Sequence, residues 1–380
     1  MAEMAMAAVF TEKKGDFDLR EFPVPEPRDN DMVLRVSRAN VCGSDIHIWS
    51  GHTDLAAMGL RYGIILGHEM VCRVHALGAR IKNDAAGQRL REGDRVVSTY
   101  YVNCGKCPPC LKGDVHMCMM SLASPVRPCE KAPHFFGAFG EYYYVKRAQK
   151  VFRVPDTVSD AVVAGANCAL SQVIHGFAVA GLRMGETVVV QGAGGLGLFA
   201  CAVAKEMGAG KVIIVDAIPG RLEFARRFGA DEVVDMSETP DKKARTRRVM
   251  GLTGGWGADV VVEVAGVPDA IPEGLRMLGK GGRYLEMGCI NPRRTCTLDP
   301  SILTGGNITL HGVSLYPPPV LKQAVDFLAR TIDKYPYDEL VSHTFPLSEI
   351  TAAFRALDAE GGGCSGITRA SILCAPDTSH

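Results

Sequence analysis

Thr187–Gly197 reads TVVVQGAGGLG, and this stretch carries the strongest signal for the fold. An apolar run of strand-forming residues, Thr187–Gln191, leads directly into the pattern G-x-G-x-x-G. The first glycine of this pattern permits a tight turn, the second lets a pyrophosphate approach the backbone, and the third lets a helix pack closely on the strand. The anion then lies at the N-terminus of that helix. The stretch therefore predicts a strand, a turn and a helix that bind a dinucleotide.

An acid at the end of the next predicted strand, Lys211–Asp216 (KVIIVD), supports this prediction. Asp216 follows the glycine pattern at the spacing of about 20 residues at which an acid binds ribose hydroxyls. Its carboxylate repels a 2′-phosphate, which favours NAD over NADP, and Arg221 lies near enough to offset part of that repulsion. The predicted cofactor-binding residues here are Gly192, Gly194, Gly195, Leu196, Gly197, Asp216 and Arg221.

The segments around this unit alternate between strand and helix patterns. Further buried strands are predicted at Asp259–Val264, Gly282–Met287 and Ile308–His311. Strands that are buried on both faces and alternate with helices indicate a doubly wound parallel sheet. Before about Val154 the chain instead has short strand and turn patterns, such as Met32–Arg38. We predict an α/β fold in which a Rossmann domain, 170–315, is inserted into a β-rich domain formed by 1–169 and 316–380.

Length, charge and hydropathy exclude several classes of protein. The 380 residues suffice for two domains, and 42 Lys and Arg balance 42 Asp and Glu. A neutral chain has no global basic field, which argues against a nucleic-acid-binding protein. No apolar run approaches the ~20 residues of a membrane span, and Met1–Thr11 lacks the features of a signal peptide. We expect a cytoplasmic protein that binds neither nucleic acid nor a membrane.

Four of the 13 cysteines lie close together, in the pattern Cys104-x2-Cys107-x2-Cys110-x7-Cys118. Clustered thiols in a reducing compartment indicate metal binding rather than disulfides. The spacing lets one loop surround a tetrahedral zinc at ~2.3 Å per sulfur, a closed structural site. The alternative is an iron–sulfur cluster, because C-x2-C-x2-C also occurs in proteins that bind such clusters.

A second set of metal-ligating residue types is dispersed along the chain. Ala39–His47 reads ANVCGSDIH, Gly67–Glu69 reads GHE, and Asn167–Ser171 reads NCALS. Two cysteines and a histidine would leave the fourth position of a zinc ion open, as a catalytic site requires. Spacing alone is weak evidence here, because a lone cysteine or histidine is more often a core residue.

The order of these motifs resembles that of the zinc-dependent alcohol dehydrogenases of the medium-chain dehydrogenase/reductase superfamily, over essentially the whole chain. The order is C-G-S-D-x-H, GHE, the four-cysteine loop, GAGGLG, and a strand ending in an acid. The resemblance implies that the β-rich domain is GroES-like and that its lobe at about 100–120 holds the structural zinc. It also implies that Cys42, His68 and Cys168 ligate a catalytic zinc, with His175 as a less favoured competitor for the third position.

The resemblance also implies roles for residues beside these ligands. Glu69 can approach the zinc during ligand exchange, and Asp45 orients His68. Ser44 accepts the substrate proton, and His47 carries it toward solvent through the ribose hydroxyls of the cofactor. Further roles are a substrate pocket lined by Trp49 and Tyr100, and a contact with a cofactor phosphate by Arg369.

The predicted function is a zinc- and NAD-dependent alcohol dehydrogenase with two zinc ions per chain. It would interconvert a primary or secondary alcohol, a small molecule that the sequence does not identify, with its aldehyde or ketone. The family resemblance implies a homodimer or homotetramer, in which the apolar segment Asn307–Leu315 supplies a sheet edge. The alternatives are a zinc-free enoyl or quinone reductase of the same superfamily, which generally lacks the zinc ligands, and a zinc-ribbon binding protein.

One departure from the family pattern concerns the backbone after the GHE motif. Cys72 stands where the family pattern GHE-x-x-G has its second glycine, although Gly78 falls at its expected place. This departure puts the local geometry after Glu69 in question, and the ligands themselves are unaffected.

Overall fold

The structure is a computed structural model that describes residues 3–358 and 369–375. Its strands are β1 Met4–Phe10, β2 Asp18–Pro23, β3 Met32–Asn40, β4 Ile64–Ile65, β5 Glu69–Leu77, β6 Arg95–Ser98, β7 Tyr142–Val145, β8 Val151–Arg153, β9 Thr187–Gln191, β10 Lys211–Asp216, β11 Glu232–Asp235, β12 Ala258–Glu263, β13 Leu278–Glu286, β14 Thr309–Gly312, β15 His343–Pro346 and β16 Ala370–Leu373.

Its α-helices are α1 Gly43–Trp49, α2 Pro108–Leu111, α3 Asp160–Val163, α4 Ser171–Ala180, α5 Gly195–Glu206, α6 Pro219–Arg227, α7 Lys242–Leu252, α8 Ala270–Leu275, α9 Ser301–Gly306, α10 Pro319–Thr331 and α11 Ile350–Asp358. Short 3-10 turns lie at Ala56–Met58, Val115–Met117, Tyr337–Glu339 and Leu347–Glu349, and a π-helical turn lies at Ala166–Leu170.

The chain divides into two compact units. Unit 1 comprises Met1–Cys168, Leu315–Ile332 and Tyr337–His380, and unit 2 comprises Ala169–Ser314 and Asp333–Pro336. The predicted division places the boundaries at 169/170 and 315/316, so it differs from these units at Ala169, at Leu315 and at the segment Asp333–Pro336.

Unit 2 is built on a six-stranded parallel sheet in the order β11-β10-β9-β12-β13-β14. The central strands are runs of β-branched residues that are buried on both faces, and Val189, Ile213 and Val261 are each 0% exposed. Such runs are typical of a parallel sheet that helices cover on both faces. The prediction of an α/β fold with a doubly wound parallel sheet is therefore confirmed.

Unit 1 is β-rich, as predicted. It contains a seven-stranded sheet, in which β15-β16-β3-β5-β6-β8 follow one another and β7 pairs with β3, and a three-stranded sheet in the order β2-β1-β4. The sequence analysis did not identify β1, β2 or β5. Cys72 lies inside β5, where it is 0% exposed and pairs in register with Val36 and Val96. A buried strand thus accommodates the cysteine that replaces the family's glycine.

Two further predictions concern surfaces and membranes. The predicted edge segment contains β14, which is the terminal strand of the parallel sheet. In the described part of the chain one helical stretch, Asp160–Ala180, is long and apolar enough to cross a membrane, and 78% of its most apolar window is buried in the protein. A buried core helix has the same composition, so this stretch is weak evidence for a membrane span.

Candidate active site

Three separate segments of unit 1 bring four metal-ligating side chains together. Cys42 precedes α1, His68 and Glu69 lie at the start of β5, and Cys168 lies in the π-helical turn. One ligand atom of each side chain lies within 4.8 Å of all the others. The dispersed cysteines and histidine of the sequence analysis therefore converge on one point.

Asp45 fixes the position of two members of this cluster. Its Oδ2 accepts a hydrogen bond from the backbone N–H of Cys42 at 3.0 Å, which closes a capping box at the start of α1. Its Oδ1 lies 3.3 Å from Nδ1 of His68 and accepts the N–H of Gly67 at 3.3 Å. A carboxylate on one imidazole nitrogen fixes the ring orientation and leaves Nε2 for a metal.

The cluster favours a deprotonated sulfur at Cys42. The pKa of the Cys42 thiol is lowered well below its ordinary value, chiefly by a hydrogen bond from Cys168 and further by the charge of His68. The pKa of His68 is raised well above its ordinary value: burial opposes the charged form, and the carboxylate of Asp45 and the thiolate of Cys42 outweigh burial. Because a thiolate is the form that ligates metal, the arrangement suits a cation.

Glu69 carries a buried carboxylate that is only half satisfied. Its Oε2 accepts a hydrogen bond from Nη1 of Arg369 at 2.8 Å, and the two side chains form a salt bridge. Its Oε1 is buried with no hydrogen-bond partner among the described residues. Burial raises the pKa of Glu69 to about 8 against the opposing charge of Arg369. An unpaired buried oxygen beside two thiols and an imidazole is what a nearby cation would satisfy.

The predicted role of Arg369 in binding a cofactor phosphate stays a prediction. The contact that the structure does give, with Glu69 across 300 residues of chain, was not identified from the sequence. Gly165 makes room for this arginine, since a Cβ at position 165 would lie 2.5 Å from Nη1 of Arg369.

Asn167 is a positioning residue that the sequence reasoning missed. Its Nδ2 donates to the carbonyl oxygens of His68 at 2.8 Å and Ser98 at 3.0 Å, and its Oδ1 accepts the N–H of Met70 at 3.4 Å. Its own carbonyl oxygen accepts the hydroxyl of Tyr316. Asn167 therefore ties the backbone around His68 to the turn that carries Cys168. The signal in the sequence was only its position next to a predicted ligand.

Replacing Asn167 by alanine is expected to lower the free energy of unfolding by about 2–4 kcal/mol, because it leaves buried donors and acceptors unsatisfied. Urea unfolding of the two proteins measures this difference. The matched control is Asn103→Ala, whose side chain makes a single part-buried hydrogen bond, to the carbonyl oxygen of Ala148 at 3.4 Å. Equal stability losses in the two variants would contradict the positioning role.

The predicted proton carriers lie on α1 beside the cluster. The side chain of Ser44 contributes to lowering the pKa of the Cys42 thiol. His47 lies one turn further along, with its ring 5.7 Å from the ring of His52, measured between centroids. His52 is exposed and was not identified from the sequence, and its Nδ1 lies 3.0 Å from Oγ of Ser50.

The two aromatic residues predicted to line a pocket have different surroundings. Tyr100 lies against the cluster, with its hydroxyl 3.9 Å from the sulfur of Cys168 and its ring 4.7 Å from the ring of His68. Trp49 is 2% exposed, donates its indole N–H to the carbonyl oxygen of Gly15 and packs on Phe354 in the core. The role of Trp49 in lining a pocket stays a prediction, and its side chain belongs to the core of unit 1.

The second metal-ligating group is the lobe of clustered cysteines. One sulfur atom of each of Cys104, Cys107, Cys110 and Cys118 lies within 4.8 Å of the others. The Cys107 sulfur is 3.5 Å from that of Cys110 and 3.7 Å from that of Cys118. Thiolates on one tetrahedral zinc lie ~3.8 Å apart, which follows from ~2.3 Å bonds. The lobe thus has the dimensions of a closed zinc site.

Backbone N–H groups stabilise the thiolate form of cysteines in this lobe. The N–H groups of Cys110 and Met119 donate to the sulfur of Cys107 and lower the pKa of its thiol to about 6. The N–H groups of Cys104 and Met120 donate to the sulfur of Cys118, both at 3.3 Å. These bonds stabilise thiolates, which is the form that zinc binds.

In unit 2 the glycine loop has the shape expected for a dinucleotide. Gly192 has φ +108°, and a Cβ at position 197 would lie 1.8 Å from the carbonyl oxygen of Gly192, so the loop and α5 approach too closely for any side chain there. A Cβ at Gly194, the residue before α5, would meet no heavy atom within 4 Å, so the helix N-terminus is open. Gly195 and Leu196 form the first turn of that helix.

Asp216 ends β10 next to this loop. Its Oδ2 accepts the N–H of Ala193 at 2.6 Å, and its Oδ1 accepts the N–H of Ile218 at 2.9 Å. Arg221 lies half-buried in the first turn of α6, which follows directly. The loop, the open helix end and the acid therefore lie together on one edge of the parallel sheet.

Comparison with known proteins agrees with this geometry. Residues 28–156 match the sequence profile of the alcohol dehydrogenase GroES-like domain, and residues 195–330 match that of the zinc-binding dehydrogenases. The 5-exo-hydroxycamphor dehydrogenase of Pseudomonas putida is 33% identical over 362 residues, which cover 94% of this chain and 96% of that protein. The chain belongs to the zinc-dependent alcohol dehydrogenase family.

Two further relatives show the breadth of this medium-chain dehydrogenase/reductase family. An L-threonine 3-dehydrogenase of Rhizobium etli is 32% identical over 257 residues, 67% of this chain and 69% of that protein. The crystal structure of an alcohol dehydrogenase from Thermotoga maritima superposes with a TM-score of 0.89 at 27% identity, covering 98% of this chain and 100% of that one. The family assignment and the GroES-like and Rossmann fold predicted from the sequence are confirmed, and the protein is an oxidoreductase of this family.

Proposed function

We propose that this zinc-dependent dehydrogenase oxidises a primary or secondary alcohol to its aldehyde or ketone with NAD, and catalyses the reverse reaction. The observation that carries the proposal is the convergence of Cys42, His68 and Cys168 beside the half-satisfied carboxylate of Glu69. The zinc-free reductase alternative does not account for this buried ligand set. The glycine loop and Asp216 of unit 2 supply the dinucleotide site.

The residues present fit two zinc ions and one NAD per chain. Cys42, His68 and Cys168 would hold the catalytic zinc with a position left for substrate, and the lobe of Cys104, Cys107, Cys110 and Cys118 would hold the structural zinc. The backbone at Gly192, Gly194 and Gly197 would hold the pyrophosphate and Asp216 the ribose. When bound, the catalytic zinc polarises the alcohol oxygen and NAD accepts the hydride.

The side chains around the metal ligands transfer the proton of the alcohol and orient the ligands. Oγ of Ser44, next to Cys42, accepts the proton of the alcohol, and the imidazole of His47 takes it onward. Asp45 holds His68 in the tautomer and orientation that present Nε2. Tyr100 bounds the substrate side of the cluster, where its ring contacts His68.

Two assays test the proposed function directly. A panel of aliphatic, cyclic and polyhydroxy alcohols is offered with NAD and then with NADP, and NADH or NADPH formation is followed by absorbance. Metal analysis of the same preparation, as purified and without added zinc, is expected to give two zinc ions per chain. Turnover that survives complete removal of zinc, or reduction of enones in place of alcohol oxidation, would overturn the proposal.

The choice of cofactor provides a separate prediction. Asp216→Ala is expected to weaken NAD binding by about 10–150-fold, because a hydrogen bond to a charged group contributes ~1.5–3 kcal/mol. The same change should improve NADP binding, since it removes a negative charge near the 2′-phosphate. Fluorescence titration with NADH and NADPH measures both affinities.

Asp235 provides the matched control, because it is the register partner of Asp216 at the end of the adjacent strand β11. Asp235→Ala should leave the ratio of the two affinities unchanged. A wild-type protein that already prefers NADPH would show that Asp216 does not select the cofactor.

The remaining expectations are part of the same proposal. We propose a cytoplasmic homodimer or homotetramer, with the edge strand β14 as the pairing surface.

A further inference from the structure

Three side chains of unit 2 form a cluster that the proposed reaction does not use. Glu263 ends β12, Glu286 ends β13, and Cys289 follows shortly after. The two glutamates are register partners in adjacent parallel strands. One oxygen of each carboxylate and the sulfur of Cys289 all lie within 4.8 Å of one another.

Each carboxylate has one oxygen that the backbone satisfies and one that it does not. The N–H of Gly266 donates to Oε1 of Glu263, and the N–H of Cys289 donates to Oε1 of Glu286, both at 2.7 Å. Oε2 of each glutamate is buried and has no hydrogen-bond partner in the described part of the chain. Glu263 as a whole is 0% exposed. Two buried anionic oxygens without donors are costly, so either a proton or a cation must lie between them.

The backbone beside Glu263 keeps side-chain atoms away from its free oxygen. A Cβ at position 288 would lie 2.5 Å from Oε2 of Glu263, so only glycine fits there. Gly288 directly precedes Cys289, and the chain therefore turns past the two carboxylates and presents the thiol from the next residue.

We propose that Glu263, Glu286 and Cys289 form a further metal site, distinct from the two zinc sites of unit 1, for a divalent cation that accepts oxygen and sulfur ligands. Carboxylates alone suit magnesium or calcium, whereas an added thiolate selects zinc or cadmium. Ligands of one tetrahedral zinc lie ~3.3–3.7 Å apart, so small side-chain shifts from the present separations close the site. Three protein ligands leave a fourth position for water.

The site lies beside the dinucleotide loop. Glu263 is the register partner of Gln191 as well as of Glu286, and Gln191 directly precedes Gly192. The proposed cation therefore lies on the same edge of the parallel sheet as the glycine loop.

The test compares metal binding by the full-length wild type and by Cys289→Ser. Both proteins are dialysed against buffered zinc and analysed for zinc per chain, and both are titrated with cadmium while the thiolate-to-cadmium absorbance is followed. We expect the wild type to hold one zinc more than Cys289→Ser and to show a larger cadmium absorbance, since the variant keeps only the absorbance from the cysteine sites of unit 1. Glu263→Gln should also hold one zinc fewer than the wild type.

Cys296→Ser is the matched control, because Cys296 is also half-buried and lies outside the cluster. It should retain both the extra zinc and the extra cadmium absorbance. Cys289→Ser keeps the test decisive even where Glu263→Gln fails to fold, since Cys289 is only half-buried. Equal zinc content and equal cadmium spectra in the wild type and Cys289→Ser would overturn the proposal and leave a shared proton between the two glutamates. The test compares zinc content and cadmium absorbance between variants, so its result does not depend on alcohol turnover.

Discussion

Cys42→Ser is expected to give a folded protein that still binds NADH and has lost about 10³–10⁴-fold in turnover. The reason is that Cys42, the member of the cluster whose thiol pKa is lowered, would be the anionic ligand of the catalytic zinc. Lewis-acid activation of the substrate oxygen supplies several kcal/mol, which corresponds to this loss in rate. Thermal unfolding, fluorescence titration with NADH and steady-state kinetics measure the three parts of the result.

Cys107→Ser is the matched comparison, because it removes one sulfur from the other cluster. Its thiol takes part in the closed lobe, where metal binding contributes to the free energy of folding. We expect this variant to lose one zinc and to unfold at a lower temperature, with its remaining folded fraction still active. Loss of folding to the same extent in both variants would contradict the division into a catalytic and a structural site.

Ser44→Ala is expected to lower turnover by about 10²–10⁴-fold, the range for a lost general base, while zinc content and NADH binding stay unchanged. The Ser44 side chain follows Cys42 by two residues at the start of α1 and helps to lower the pKa of its thiol, so it lies near the position where substrate oxygen would bind. His47→Gln should lower turnover less, and added imidazole should restore part of it, because an imidazole with pKa ~6.5 accepts protons near neutral pH.

Ser50→Ala is the control for Ser44→Ala, because Ser50 lies at the C-terminal end of the same helix and its hydroxyl contacts His52 and the carbonyl oxygen of His47. It should leave turnover within about two-fold of the wild type, as surface substitutions usually do. Full activity in Ser44→Ala would exclude the proton relay.

The sequence predicted those features whose residues are neighbours along the chain. Thr187–Gln191 and Lys211–Asp216 are strands with the predicted bounds, because a continuous β-branched run between turn residues has one favourable conformation in a covered sheet. The four cysteines converge because they occupy one short loop. The position of Asp216 beside the glycine loop likewise follows from the connectivity of a βαβ unit.

The convergence of Cys42, His68 and Cys168 was predicted from the family resemblance and not from spacing. No local rule states that residues so far apart in sequence lie within 4.8 Å of one another. Antiparallel pairing of β3 with β5 places the start of β5 beside the end of β3, after which Cys42 follows. That pairing depends on the whole sheet, of which the sequence analysis had identified β3 and had missed β5.

Other features were decided by the tertiary structure alone. Nothing in the sequence shows that Trp49 is buried, because its burial depends on Gly15 and Phe354, which the fold brings to it. The ion pair of Glu69 with Arg369, the bonds of Asn167 and the carboxylate pair of Glu263 and Glu286 have the same origin. Local sequence patterns specify backbone conformation and the metal ligands that lie in one short loop. The partners of a buried polar group are instead determined by the packing of segments that are distant in sequence. That packing must supply a partner, because leaving a buried polar group unpaired costs free energy.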